Sequence, residues 1–306
     1  MQVIKDSPGL RAALESPRRQ GKRIALVPTM GALHAGHGSL VQSARARCDL
    51  VVTSVYVNPT QFGPAEDMAA YPRDTEGDRA KLEAWGCDIL FLPRDADMYP
   101  DGLGGVRVSP PPGLVAGLCG PRRPGHFEGV LTVVLKLLNL MRPHAAFFGQ
   151  KDYQQWRLIS QMAQDLLTGV EIVRCPIVRE PEGLALSSRN AYLSPEQRRQ
   201  GLVLSRALAA TLDKFRRGER RTTELVAAGR AVWDAMTEGD EPSLEYLEVV
   251  DAATLQPVAE LTGDGLAALA GRVGRARLID NAVLADDSPD LGLLDLGRGT
   301  LFSRLA

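Results

Sequence analysis

Apolar and polar positions alternate in blocks through the first half of the chain. Ile24-Ala25-Leu26-Val27, ending at Pro28, is an uninterrupted apolar run and predicts a buried strand. From about Gly38 to Cys48, Leu40, Val41 and Ala44 share one helical face. Asp49–Val57 (DLVVTSVYV) is rich in β-branched residues and predicts a second strand. Thr75–Trp85 has amphipathic helical spacing, and Cys87–Leu92 predicts a third strand. Val130–Met141 is almost wholly apolar and too long for a typical strand, so a buried helix is expected. A short strand at Ala145–Phe148, a helix at Tyr153–Leu167 and a strand at Val170–Cys175 follow. Strands alternating with helices imply an α/β fold, a parallel sheet covered on both faces. Such sheets bind ligands at the carboxyl ends of their strands.

The pattern changes near Glu180. A turn at Pro181-Glu182-Gly183 precedes Ser187-Ser188-Arg189-Asn190. Ser194-Pro195-Glu196 then places a capping serine and a first-turn proline at the head of a helix over Pro195–Arg217. A helix at Thr222–Met236 and strands at Leu244–Val250 and Ala276–Ala282 complete a smaller α+β region. The expected organisation is a Rossmann-like nucleotide-binding domain over residues 1–176, a smaller α+β domain over 177–284 closing over the active site, and a loosely packed tail over 285–306.

Composition narrows the function classes. The chain has 306 residues and a formal net charge of -1, so it lacks the global basic field of nucleic-acid binders, and any anion site must be local. Cys48, Cys87, Cys119 and Cys175 are scattered without a Cys-x-x-Cys, which suits reduced structural thiols in the cytoplasm. The first residues lack the apolar core of a signal peptide, and no apolar run is long enough to span a bilayer.

The candidate chemistry begins at Pro28-Thr29-Met30-Gly31-Ala32-Leu33-His34-Ala35-Gly36-His37. Two histidines three residues apart stand at a strand-to-helix turn, on one side of the coming helix. Unpaired N–H groups and a partial positive charge at that helix start, with imidazole donors beside them, make a phosphate site. Half of a metal site is the competing reading. No His-Glu-x-x-His pattern supports it, and no further His or Cys stands at ligand spacing.

Other candidates follow predicted strands. Asn58-Pro59-Thr60-Gln61-Phe62-Gly63 is a turn by composition, but the Gln61 amide suits a substrate with hydroxyl and carboxylate groups. Pro121-Arg122-Arg123-Pro124-Gly125-His126-Phe127 is either a solvated loop or a flexible flap over an anionic ligand. In Gly149-Gln150-Lys151-Asp152-Tyr153-Gln154-Gln155, Lys151 could meet phosphate oxygens and Asp152 could be a helix cap. Gln155 is expected one turn inside the helix, facing the same cleft. Leu186-Ser187-Ser188-Arg189 offers two hydroxyls and a guanidinium in a mobile loop, a clamp for a departing pyrophosphate.

Pro28–His37, Asn58–Gly63, Tyr71-Pro72-Arg73, Gly149–Gln155 and Leu184–Asn190, in that order, resemble the pantothenate synthetase (pantoate–β-alanine ligase) family, from about residue 1 to Leu284. His-Ala-Gly-His resembles the signature of the wider nucleotidyltransferase superfamily. The resemblance implies ATP-dependent condensation of pantoate with β-alanine through a pantoyl adenylate, releasing pyrophosphate and AMP, with Mg2+ bridging the phosphates. It implies that His34, His37, Lys151 and Arg189 serve catalysis. Its ATP contacts fall on Met30, Gly31, Ala32, Leu33, Ala35 and Gly36 together with the two histidines. Further ATP contacts fall on Gly149, Gln150, Lys151 and Asp152, the last at the ribose, and on Val178, Leu186, Ser187, Ser188 and Arg189. Gln61 matches a contact to pantoate and β-alanine, and Gln155 a contact to pantoate. Asn58, Tyr71 and Arg123 match substrate-site positions. The resemblance also implies a homodimer; the net charge, the cysteines and the lack of a long apolar run point to a cytoplasmic protein with no nucleic-acid or membrane partner.

Three departures stand out. Leu186 replaces a common methionine, a volume-conserving change. Gly77 interrupts an acidic cluster, leaving Glu76 and Asp78, so no protein metal ligand is expected. The tail runs past the family's usual end. A plain nucleotidyltransferase would keep His34 and His37 but would not explain Gln61 with Gln155. A nucleic-acid-binding module would need a basic face, against the net charge of -1.

Overall fold

The computed structural model of the chain describes residues 1–63, 68, 71–237, 241–288, 290 and 293. They gather into two compact units: residues 1–115, 119–149 and 154–175 in one, and 116–118, 150–153 and 176–306 in the other.

The first unit holds strands β1 (Gln2–Ile4), β2 (Ile24–Thr29), β3 (Leu50–Val55), β4 (Ile89–Phe91), β5 (Ala145–Gly149) and β6 (Glu171–Cys175). Its helices are α1 (Ser7–Arg19), α2 (Ala35–Arg47), α3 (Thr75–Ala84), α4 (Asp95–Met98), α5 (His126–Met141) and α6 (Tyr153–Asp165). All strand pairs are parallel, in the order β1-β4-β3-β2-β5-β6. The central strands are apolar because both faces are covered. Alternate residues Ala25, Val27, Val51, Leu90 and Phe147 pack with Leu40, Val41 and Ala44 of α2 and Leu82 of α3. The opposite face is covered by α5, which packs on β2, while α1 packs on α5. The strand order reverses between β2 and β5, the switch point where ligands of such sheets collect.

The second unit folds α7 (Pro195–Arg216) and α8 (Thr222–Met236) onto an antiparallel sheet of β7 (Ser243–Asp251), β8 (Gly265–Val273) and β9 (Ala276–Leu284). Val203, Leu208, Leu225, Trp233, Leu269 and Ala282 lie in one core. Ser194 caps α7 by accepting from the Gln197 amide at 3.2 Å.

The α/β expectation for the fold holds, with three local corrections. The strand β1, the helices α1 and α4 and the strand β8 are additions to the elements that the sequence pattern predicts. The helix near residue 38 starts at Ala35, which places His37 inside its first turn. The basic segment ends at Gly125, because His126 and Phe127 are buried in the start of α5. The expected loose tail lies mostly outside the described residues; within it Ser288, Asp290 and Leu293 are buried, Leu293 in the second unit's core. Among the described residues no helix is long and apolar enough to cross a membrane.

Candidate active site

The turn from β2 into α2 is shaped by its caps. His34 is the N-cap in extended backbone, and its Nδ1 accepts from the Gly36 amide at 3.2 Å. His37 reciprocates, its Nδ1 accepting from the His34 amide at 3.3 Å. The ring centroids stand 4.1 Å apart. An imidazole nitrogen that accepts a hydrogen bond carries no proton, so in both neutral rings the proton sits on Nε2. Each ring is therefore both a helix cap and an Nε2–H donor at a helix start that carries partial positive charge.

The loop before them is bent through two left-handed residues, Gly31 at φ +87° and Ala32 at φ +51°. For alanine that conformation costs about 1–2 kcal/mol. Asp78 of α3 holds it in place. Its buried carboxylate accepts from the Ala32 amide at 2.9 Å and the Leu33 amide at 2.7 Å, and Lys81 donates to the Leu33 carbonyl at 2.8 Å. Both Asp78 oxygens are thus committed to the backbone of the histidine loop. Sequence reasoning misses this role, although one signal is legible: Asp78 shares the buried face of α3 with Leu82, one turn on.

After β3, Asn58 is fully buried. Its Nδ2 donates to Gln61 Oε1 at 3.1 Å and to the Gly129 carbonyl at 3.2 Å, and its Oδ1 accepts from Tyr99 at 2.8 Å and Thr60 at 3.0 Å. Both polar atoms of the Asn58 side chain are bonded to protein, so this side chain orients Gln61. The bond to Oε1 fixes the Gln61 amide and makes Nε2 its donor end. Gly129 permits this arrangement, since a Cβ there would stand 2.1 Å from the Thr60 carbonyl oxygen.

Arg123 Nη1 lies 2.8 Å from His126 Nε2, and His126 Nδ1 lies 2.8 Å from the Gln61 carbonyl oxygen. A guanidinium only donates, so Nε2 accepts and the His126 proton sits on Nδ1, bonded to Gln61. The expected flap is thus tied to the Gln61 turn by a buried histidine. Tyr71 stacks edge-on against Phe62 at 5.9 Å. In α6 the adjacent glutamines divide their work. Gln154 is buried, bonding the Cys119 amide at 3.0 Å and the Leu114 carbonyl at 2.9 Å, whereas Gln155 is half-buried.

In the second unit, Gln150–Asp152 forms a short 3-10 turn. Asn281 of β9 donates to the carbonyls of Gln150 at 3.0 Å and Lys151 at 2.9 Å, and the Lys151 ammonium meets Asp152 at 3.3 Å. The segment around Val178 and Leu186–Arg189, expected to be mobile, is pinned. The Leu186 amide donates to the Val178 carbonyl at 2.9 Å. Arg179 pairs with Asp280 through two bonds of 2.5 and 2.9 Å, both side chains buried. Asn190 donates to Glu180 at 3.0 Å and to the Ala185 carbonyl at 3.1 Å. Ser187 caps the following turn, accepting from the Arg189 amide at 3.3 Å.

None of the four cysteines is in a disulfide, and burial pushes the Cys48, Cys87 and Cys175 thiols up, away from nucleophilic thiolate. Among the described residues no three His, Cys, Asp or Glu side chains converge as a metal cage.

The family model of pantoate-beta-alanine ligase matches residues 2–283. The chain belongs to that family. A pantothenate synthetase of Trichlorobacter lovleyi is 49% identical, over 94% of this chain and 99% of its own length. One from Geobacter sulfurreducens is 47% identical over 94% and 100%. Among solved structures, pantothenate synthetase from Thermus thermophilus matches with a TM-score of 0.87 at 44% identity, covering 93% of this chain and 100% of that one. The pantoate-beta-alanine ligase of Francisella tularensis, complexed with beta-gamma ATP and β-alanine, matches with a TM-score of 0.72 at 34% identity over 92% and 97%. Family membership makes this chain a ligase that forms pantothenate from pantoate and β-alanine.

Proposed function

We propose that the chain activates pantoate with ATP as a pantoyl adenylate and then passes the acyl group to β-alanine. A pantoate carboxylate oxygen attacks the α-phosphorus, and the bond to pyrophosphate breaks. The β-alanine amine then attacks the acyl carbon, the bond to AMP breaks, and the amine loses a proton. The observation that carries this reading is the His34–His37 pair, with each Nδ1 occupied as an acceptor and each Nε2 bearing the proton at a helix start. Donors placed before the reaction are what charge building on phosphate oxygens requires.

The other roles follow residue by residue. Backbone and side chains of Met30–His37 bind the phosphates. Gly149–Asp152, Val178 and Leu186–Arg189 complete the ATP contacts, Asp152 at the ribose. Lys151 and Arg189, with the Ser188 hydroxyl as a neutral donor, stabilise the charge on the departing pyrophosphate. Gln61 binds pantoate beside β-alanine and Gln155 binds pantoate. Tyr71 and Arg123 line the substrate site, and Asn58 orients Gln61. The Francisella tularensis relative complexed with an ATP compound and β-alanine supports both ligands here. Mg2+ bound with ATP would supply charge neutralisation at the phosphates, and Asp78 would not hold it, since its oxygens accept from the backbone amides of Ala32 and Leu33.

The enzyme works in the cytoplasm as a homodimer. The β6 edge of its parallel sheet, with Leu166 and Leu167 exposed beside it, supports a self-association face. Light scattering at the mass of one chain would remove the dimer. The reading as a whole is tested by pyrophosphate release from MgATP. Release with pantoate alone, followed by AMP and pantothenate only after β-alanine is added, is expected. Folded enzyme that releases no pyrophosphate with pantoate sinks the adenylate route.

A further inference from the structure

We infer that Asp290 is a positioning residue for Lys151, acting through the side chain of Gln150. Asp290 lies beyond residue 283, where the family match ends. Its buried Oδ2 accepts from Gln150 Nε2 at 2.6 Å and from the Val283 amide at 2.8 Å, while its own amide donates to Ser288 Oγ at 3.1 Å. The Gln150 side chain is 1% exposed, so its amide donors must be satisfied by protein. Its other acceptor, Asn281 Oδ1, stands at 3.4 Å, so the short bond to the carboxylate is the stronger one.

The same Asn281 holds the Gln150 and Lys151 carbonyls. Val283, Asp290, Gln150 and Asn281 therefore form one connected set, and the turn bearing Lys151 hangs on it from two sides. Asn281 fixes the main chain, and Asp290 fixes the preceding side chain. Burial pushes the Asp290 carboxyl up, and the two hydrogen bonds and Arg179 act the other way. With Asp290 removed, the Gln150 amide loses its strong anchor and the Lys151 turn is freed to shift. A positioning error on the order of 1 Å at such a group reduces its contribution steeply.

The inference rests on the reading that Lys151 meets ATP phosphates, and the test separates the two. Full-length Asp290→Ala, Asp290→Asn and Lys151→Met are compared for KM of ATP, KM of β-alanine and thermal midpoint. Asparagine retains a carbonyl oxygen that both the Gln150 and Val283 donors can use. Asp290→Ala is expected to raise the ATP KM roughly tenfold and leave the β-alanine KM unchanged. Asp290→Asn is expected to stay within about twofold of wild type, its oxygen restoring the anchor. Lys151→Met raises the ATP KM at least as much as Asp290→Ala. A folded Asp290→Ala enzyme with normal ATP KM, beside a defective Lys151→Met, overturns the inference alone. So does a loss of thermal midpoint with no change in either KM. A normal ATP KM in Lys151→Met removes the ATP role of Lys151, and the inference with it. Should Asp290→Ala not fold, Asp290→Ser, whose shorter hydroxyl cannot serve both donors, is read by the same criteria.

Discussion

His37→Asn is expected to keep the fold and to slow pantoyl-adenylate formation by roughly 10²–10³-fold, the usual loss when one preorganised donor is removed from developing negative charge. The substitution separates the two jobs of the ring. Asparagine Oδ1 takes the place of Nδ1 and still accepts from the His34 amide, a bond of 3.3 Å in the native enzyme. The helix cap therefore survives, but nothing replaces Nε2–H. His37→Ala loses both, so it should add a stability loss of about 1 kcal/mol to the same rate defect. Burst pyrophosphate release and thermal unfolding, measured on both variants, resolve the two effects. A wild-type rate in His37→Asn would refute the donor role and leave His37 as a cap only.

Asp78→Asn should be almost as damaging as Asp78→Ala, although it is the smallest change available at that position. Each carboxylate oxygen accepts one backbone amide, from Ala32 and from Leu33. Asparagine can satisfy one of them but turns an NH2 group toward the other. A buried N–H then faces another donor, where the native contact was a bond to a charged acceptor contributing about 1.5–3 kcal/mol. The left-handed Ala32 also loses the contact that offsets its backbone cost. The expected stability loss is about 3 kcal/mol, a fall in midpoint of roughly 6–12 °C. Activity should fall further than stability explains, because the loss falls on the turn that aims His34 and His37. The check is thermal unfolding together with kcat at a temperature where the variant is fully folded. A midpoint within a degree or two of wild type would show that the loop holds its shape without Asp78.

Both predictions concern residues that the sequence treats very differently. His37 stands out because a His-x-x-His pair at a strand-to-helix turn has an immediate chemical meaning. Asp78 looks like one member of an interrupted acidic group, and its function depends on a loop 46 residues away. Asn58 is the opposite case. Its type suits a ligand contact, but the Thr60 amide, the Thr60 hydroxyl, Gln61, the Gly129 carbonyl and Tyr99 take up its whole amide. His126 lies inside a segment that reads as a basic flap until its apolar surroundings in α5 are seen.

The sequence by itself determined the α/β class and most of the helices and strands, and it singled out the residues 28–37 turn for which phosphate binding is proposed. These depend on local periodicity, on capping residues and on side-chain chemistry within one stretch, all of which act over a few residues. Tertiary structure alone decided the rest. The strand β8, GLAALAGRV, is poor in β-branched residues and becomes the middle strand of its sheet because its small residues admit neighbours; a Cβ on Gly271 would stand 2.6 Å from the Trp233 ring. The tail residue Asp290 finds Gln150 across 140 residues of chain. Such partners are chosen by burial, where each polar group must be satisfied by whatever the fold brings near, and no local pattern encodes which group that is.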